Sequence, residues 1–329
     1  MLRLAQDGEG SLDQAALEAQ VDALLPTNYY AIRVKEFVDG ITPFSAESPL
    51  QLPEDETADR LEAEAWLREW LVDNNITVPP EGDLADLSPT LLNDSRRIVG
   101  EKLWALGLLE EARGELEAFR QAYTDDPLAS YQIALYLRDL GLYRSSIIAA
   151  ANVLGQTGTL LYDAPRFIGR LVYPAYYTDL ILPLAEEYDF DPRLQLALVR
   201  QESLFESFAR SGAAAQGLAQ VIPDTGYWIA QQLAWPDYEN EDLYKPYVGL
   251  RFGAYYLSQQ LATFDNLPQV ALAAYNAGPG NAIRWYDVAG DDFDLFVDTI
   301  DFSETREYVQ RIYQGFIAYR FLYGDEPGF

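Results

Sequence analysis

The acid Glu202 ends an apolar helical stripe and is the residue best placed by type and spacing to do chemistry. Leu194, Leu198 and Glu202 recur at i, i+4 and i+8, and Phe205 follows at i+11, on a helix opened by Asp191 as N-cap and Pro192 as first residue. The spacing puts the acid on the buried face, where desolvation raises a carboxyl pKa toward the range a general acid needs near neutrality. The same spacing also suits a structural glutamate paired with Arg200 or Arg210. Beyond it, Ser211-Gly212-Ala213-Ala214-Ala215-Gln216-Gly217-Leu218-Ala219-Gln220 forms a small-sided loop. Such a loop lets a ligand approach the backbone closely, and its last amide can hydrogen-bond a sugar. Farther on, ALAAYNAGPGNAIRWY (271–286) is a helix interrupted by Gly278-Pro279-Gly280, which leaves Tyr275 and Asn276 at a helix end. In DFSETREYVQRIY (301–313), Glu304 also fits a plain capping box with Asp301.

Composition removes most competing chemistries. The chain has no His and no Cys, so Ser-His-Asp triads, His-ligated metals, thiol nucleophiles, zinc-thiolate sites and disulfides are all excluded. Acid/base work falls to Asp, Glu, Lys or Tyr. With 52 acidic against 23 basic residues the net charge is -29, which argues against nucleic acid and against an anionic membrane surface. The Asp-rich run from Asp287 to Asp301 lacks the order and spacing of a calcium loop and reads as solvated surface, so neither metal nor cofactor is expected.

The elements that must carry these residues are helical. Apolar residues make up 49% of the 329 positions, enough for a substantial core, and the length suggests two domains. Helices are expected over 11–25, 28–38 and 56–72, with loops at 40–55 and 74–86. Two segments, 103–116 and 135–148, share a Leu-Gly-Leu turn whose glycines, Gly107 and Gly141, lie 34 residues apart. That is the period of tetratricopeptide-like helix pairs, and ordinary helical hairpins produce it as well. No segment alternates with period two, so the class is mainly α, with at most a small hairpin near 235–247. No apolar run of about 18 residues suggests a transmembrane segment, and MLRLAQDGEGS lacks a signal peptide's apolar core.

Together the blocks resemble the soluble lytic transglycosylases, whose catalytic domain is goose-lysozyme-like. Glu202-Ser203 precedes Gly217-Leu218-Ala219-Gln220, then comes Ala274-Tyr275-Asn276-Ala277-Gly278, then Glu304-Thr305-Arg306 with Tyr308-Val309. Residues 164–174 look like the connection entering that domain. The 34-residue period suggests a tetratricopeptide-like helical superhelix, a repeat-like domain over 1–165, and the resemblance, which covers roughly the C-terminal half, implies a lysozyme-like α-helical catalytic domain over 166–329. The chain departs from the family pattern at Glu206-Ser207, where Asn-Pro is usual, at Ala214, where a Gly is usual, and at Ala219, where a Met is usual. Glu206 reads as exposed, and Ala214 and Ala219 as residues of the loop facing the sugar.

By position, the resemblance makes Glu202 the single catalytic acid/base and makes Ser203, Ser211, Gln220, Tyr275, Asn276, Glu304 and Tyr308 substrate-binding residues of the cleft. The implied substrate is the glycan strand of peptidoglycan, cleaved without water to leave a 1,6-anhydro end. The implied location is periplasmic or extracellular, at the cell envelope, with any signal peptide absent from this chain. The sequence names no protein partner for the N-terminal helices. Two rivals remain: a lysozyme-like hydrolase on the same fold, and a non-catalytic helical-repeat scaffold that binds the cell wall.

Overall fold

A computed structural model of the chain describes residues 28–78 and 84–324. The helix expected over 11–25 lies outside these residues. Among the described residues there are sixteen α-helices and one 3-10 helix, and no strand. The described residues fall into two compact units, one within Gln51–Tyr255 and the other made of 28–50 with 256–324.

The larger unit begins with α2 (Thr57–Asp73), the short α3 (Pro89–Leu92), α4 (Ser95–Ala105) and α5 (Leu109–Gln121). It continues through α6 (Pro127–Asp139), α7 (Tyr143–Thr157), α8 (Arg166–Val172) and α9 (Thr178–Glu187). The helix starts follow local chemistry. Asp94, Asp126 and Asp191 each accept a bond from a backbone N–H in the first turn, and Pro127 and Pro192 occupy the first helical position.

Both Leu-Gly-Leu turns end their helix in the same way. Leu108 N–H donates to Leu103 O at 3.0 Å and Gly107 N–H to Trp104 O at 3.0 Å. Leu142 N–H donates to Leu137 O and Gly141 N–H to Arg138 O, each at 2.9 Å. This double closure needs a left-handed residue, supplied by Gly107 at φ 75° and Gly141 at φ 78°. α5 then packs back on α4, and α7 on α6. Leu67, Leu71, Leu116, Phe119, Tyr131, Ile133, Leu137, Phe167 and Ile168 form the core that joins α2 and α5 to α8.

The remainder of this unit is α10 (Pro192–Ser203), α11 (Pro223–Gln232), the 3-10 helix Asn240–Tyr244 and the start of α12 (Pro246–Thr263). The 3-10 helix occupies the segment where a hairpin was allowed. The only β-type pairing among the described residues is the pair of isolated bridges Arg210–Gln216 and Gln216–Val221.

The second unit contains α1 (Tyr29–Asp39), the rest of α12, α13 (Pro268–Ala277), α14 (Pro279–Ala289), α15 (Phe293–Thr299) and α16 (Ser303–Leu322). α1 and α2 fall within one residue of their expected bounds. Residues 28–50 bind 256–324 through a buried charge cluster. Glu36, fully buried, meets Arg33 at 2.9 Å and Arg320 at 2.8 Å, while Arg33 also pairs with Asp294 at 3.0 Å and donates to the Tyr313 hydroxyl at 3.0 Å. Phe44 packs edge-on against Tyr313, Phe316 and Phe293 beside it.

Candidate active site

Glu202 sits in the last turn of α10, and the helix stops directly after it. Leu194 and Leu198 are buried, as the stripe requires, whereas Glu202 is half-buried. Arg200 is directed elsewhere: its Nε donates to Val172 O at 2.9 Å, and its guanidinium lies 3.8 Å from the centroid of the Tyr173 ring. The next two residues, Leu204 at φ 50° and Phe205 at φ 61°, both adopt left-handed backbone without being glycine. This conformation costs roughly 1–2 kcal/mol per residue and persists only where surroundings fix it. Phe205 is buried and Tyr176 meets it edge-on at 5.5 Å.

Glu206 is not the exposed residue anticipated. Its carboxylate pairs with Arg113 of α5 at 2.5 Å, with both side chains about four-fifths covered. The acid-for-Asn departure thus has a partner, which lies 93 residues away in sequence and has no local signal.

The loop 210–221 is held by its own bonds. The Ser211 hydroxyl accepts from Ala213 N–H at 3.2 Å and Ala215 N–H at 3.1 Å. Gln216 and Val221 exchange backbone bonds, and Gly217 N–H donates to Ala209 O. The Gln220 side-chain amide donates to Ala209 O at 3.1 Å and Gly217 O at 2.9 Å. Ser203 is buried, and its hydroxyl reaches Val199 O at 3.1 Å and Leu218 O at 2.9 Å, tying the acid's helix to this loop. Ala219, 1% exposed, packs inside the loop instead of facing a ligand. Gly217 has φ 75°, and a Cβ there would stand 2.0 Å from Leu243 O.

Glu202, Ser203, Ser211 and Gln220 belong to the larger unit; Tyr275, Asn276, Glu304 and Tyr308 belong to the other. In that second unit α13 ends at Ala277 with Gly278 as cap at φ 85°, so Tyr275 is half-buried and Asn276 exposed in its last turn. Tyr275 meets Tyr256 at 5.1 Å, edge to face. Thr305 donates to Asn276 Oδ1 at 2.7 Å, and that bond joins the Tyr-Asn-Ala-Gly block to the Glu-Thr-Arg block. Thr305 lies within the Glu-Thr-Arg block, and nothing in the sequence points to its partner. Glu304 is exposed and Tyr308 buried in the opening turns of α16.

The capping box anticipated for Glu304 does not form. α16 has no side-chain cap, and Asp301 instead accepts from Arg284 at 2.7 and 2.8 Å and from the Trp285 indole at 2.8 Å. The Arg284 guanidinium, helped by Trp285, holds the Asp301 carboxyl down to about 2. Two other acids of the run are engaged as well: Asp292 caps α15 and Asp294 binds Arg33. Among the described residues no group of three or more acids is arranged to hold a metal ion, and no helix is long and apolar enough to cross a membrane.

Residues 179–293 match the family model described as Transglycosylase SLT domain. This span holds α10, the 210–221 loop and Tyr275-Asn276, and it stops before Glu304. The soluble lytic murein transglycosylase of Escherichia coli strain K12 is 32% identical over 158 residues, 47% of this chain and 24% of that protein. Its Salmonella typhimurium counterpart is 32% identical over 157 residues, with the same shares. The chain thus spans about a quarter of the length of these curated relatives. Among solved structures, an inactive glutamate-to-glutamine mutant of lytic transglycosylase Slt from Pseudomonas aeruginosa matches with TM-score 0.60 and 26% identity, over 78% of this chain and 41% of that one. The 70-kDa soluble lytic transglycosylase in complex with bulgecin A matches with TM-score 0.70 and 23% identity, over 99% and 45%, and shows the shared helical fold. The resemblance to soluble lytic transglycosylases read from the three sequence blocks agrees with all of these comparisons.

Proposed function

We propose that this chain is a peptidoglycan lytic transglycosylase with Glu202 as its single acid/base. The observation that carries the reading is a half-buried glutamate at the end of α10, followed by a strained turn and a braced loop, inside the span that matches the transglycosylase model. A relative whose glutamate-to-glutamine mutant is described as inactive supports it.

In this reading protonated Glu202 donates its proton to the oxygen bridging N-acetylmuramic acid and N-acetylglucosamine. The C1–O bond breaks, the leaving sugar departs as an alcohol, and the 2-acetamido oxygen stabilises the cationic C1. Glu202, now a carboxylate, takes the proton of the sugar's own 6-hydroxyl. O6 then attacks C1 and displaces the acetamido oxygen, closing a 1,6-anhydro ring. The acid ends protonated again, and no water is consumed, which is how one carboxyl serves both steps. Two-carboxylate glycosidases need a second acid held about 5 to 9.5 Å from the first. Glu206, the nearest acid in sequence, is engaged by Arg113.

Ser211, Gln220, Tyr275, Asn276, Glu304 and Tyr308 are proposed to line the glycan cleft, with Ser203 holding the loop to the acid's helix. Residues 166–329 would act as the lysozyme-like catalytic part and 1–165 as a tetratricopeptide-like helical part. A peptidoglycan substrate would be met in the periplasm or outside the cell, at the cell envelope.

Digestion of purified peptidoglycan with mass analysis of the muropeptides tests the reading. The expected product carries anhydro ends, one water lighter than hydrolytic ends; reducing ends would identify a hydrolase. Glu202→Gln is expected to lower the rate at least a hundredfold, in line with the loss of a positioned general acid. Unchanged clearing of cell walls by that variant, or none by the unmodified protein, would leave a binding scaffold as the better description.

A further inference from the structure

We propose that the α4–α5 helix pair is the mount that holds the turn behind Glu202, with Arg113 as its positioning residue. The inference rests on reading Glu202 as the acid. Leu204 and Phe205, directly after it, hold two successive left-handed conformations. Such backbone stays in place only where neighbours over-determine it. Two sets of neighbours come from the helix pairs.

Arg113, in α5, pairs with Glu206 at 2.5 Å and lies 5.0 Å from the centroid of the Phe208 ring. Its other terminal nitrogen bonds Glu110 at 2.9 Å, which fixes the plane of the guanidinium fork. Tyr143, at the start of α7, stacks on Tyr176 at 3.9 Å and 19°, and Tyr176 meets the buried Phe205 edge-on. One contact grips the turn by charge and the other by ring packing, on residues 205, 206 and 208. The turn then presents Ala209 O to Gly217 N–H and to the Gln220 amide, so its position passes to the substrate loop.

The seam beside Arg113 is not sealed core. A cavity of about 340 Å³ lies there, lined by the Gly107 turn, Glu110, Glu111 and Phe208, and Phe208 is 48% exposed. At this seam the ion pair and the cation–π contact tie the turn to α5, and salt should weaken the ion pair.

The test compares Arg113→Ala, Glu206→Ala and the charge swap Arg113→Glu with Glu206→Arg, in the full chain on purified peptidoglycan. Misalignment of the acid should lower kcat roughly ten- to hundredfold and leave KM within about twofold. Hydrogen exchange across residues 204–210 should quicken in both single variants, and the swap should recover most of the rate. Should Arg113→Ala fail to fold, Glu206→Ala reads the same pair from the other side. Wild-type kcat in either single variant overturns the proposal, as does a swap no faster than the singles. An unmodified protein without lytic activity overturns the reading of Glu202 instead, and the exchange measurement still reports whether Arg113 holds the turn.

Discussion

At the level of single residues, Ala214 turns a departure from the family pattern into a physical statement. The position is left-handed, φ 61°, which is the conformation that suits the glycine usual there. Ala214→Gly should relieve strain of about 1–2 kcal/mol and lose about 0.4–1 kcal/mol through the freer unfolded chain. A net gain of about 0 to 1.6 kcal/mol in urea unfolding is therefore expected. A loss of stability would mean that surrounding contacts, not backbone strain, govern the site. Glu202 shows what spacing can and cannot say. Periodicity found the correct helix face, and Leu194 and Leu198 are buried on it. It could not show that the helix ends one residue later, which leaves the acid half-buried. The Asp301–Glu304 pattern failed for a related reason: Arg284 and Trp285 compete for the Asp301 carboxylate, and their approach is set by tertiary structure.

At the level of elements, the 210–221 loop is fixed against the 3-10 helix by close backbone approach. Gly217 and Gly249 both face Leu243 O, and an added Cβ would stand at 2.0 and 2.7 Å from it. Gly217→Ala therefore meets a clash and a strained φ together. It should cost about 3 kcal/mol or more, at the severe end for single substitutions, and should abolish most lytic activity. Guanidinium unfolding and muropeptide release measure the two effects; a variant within about 1 kcal/mol of the parent would show that the loop can move off Leu243. The Leu-Gly-Leu turns were readable beforehand because a helix terminator is encoded in three adjacent residues. The 3-10 helix over Asn240–Tyr244 was not readable, since its capping pair, Glu239 with Asp242, resembles ordinary loop composition.

Over the whole molecule, the mainly helical class was evident from periodicity. The association of residues 28–50 with 256–324 was not, because it depends on charges far apart in sequence. Arg33 and Asp294 are 261 positions apart, and neither has a local pattern that names the other. Burial pushes the Glu36 carboxyl up against the downward pull of Arg320 and Arg33. Removing the acid leaves two guanidinium groups crowded in a covered site. Glu36→Ala should destabilise this unit by about 3–5 kcal/mol, as expected when one partner of a buried ion network is deleted. Chemical denaturation followed through the unit's tyrosines would read the change, and a cost below about 1 kcal/mol would mean that water already reaches the cluster.

The same charge cluster sets an order of events during synthesis. α1 leaves the ribosome with Arg33 and Glu36 in place, while Asp294 and Arg320 are still untranslated. At about 5–20 residues per second, the 261 positions to Asp294 correspond to roughly 13 to 50 seconds of waiting. The larger unit, whose residues are contiguous from 51 to 255, can close during that interval. The nascent chain must therefore keep a short amphipathic helix unassembled until the segment from 256 onward, with Asp294 and Arg320, has emerged.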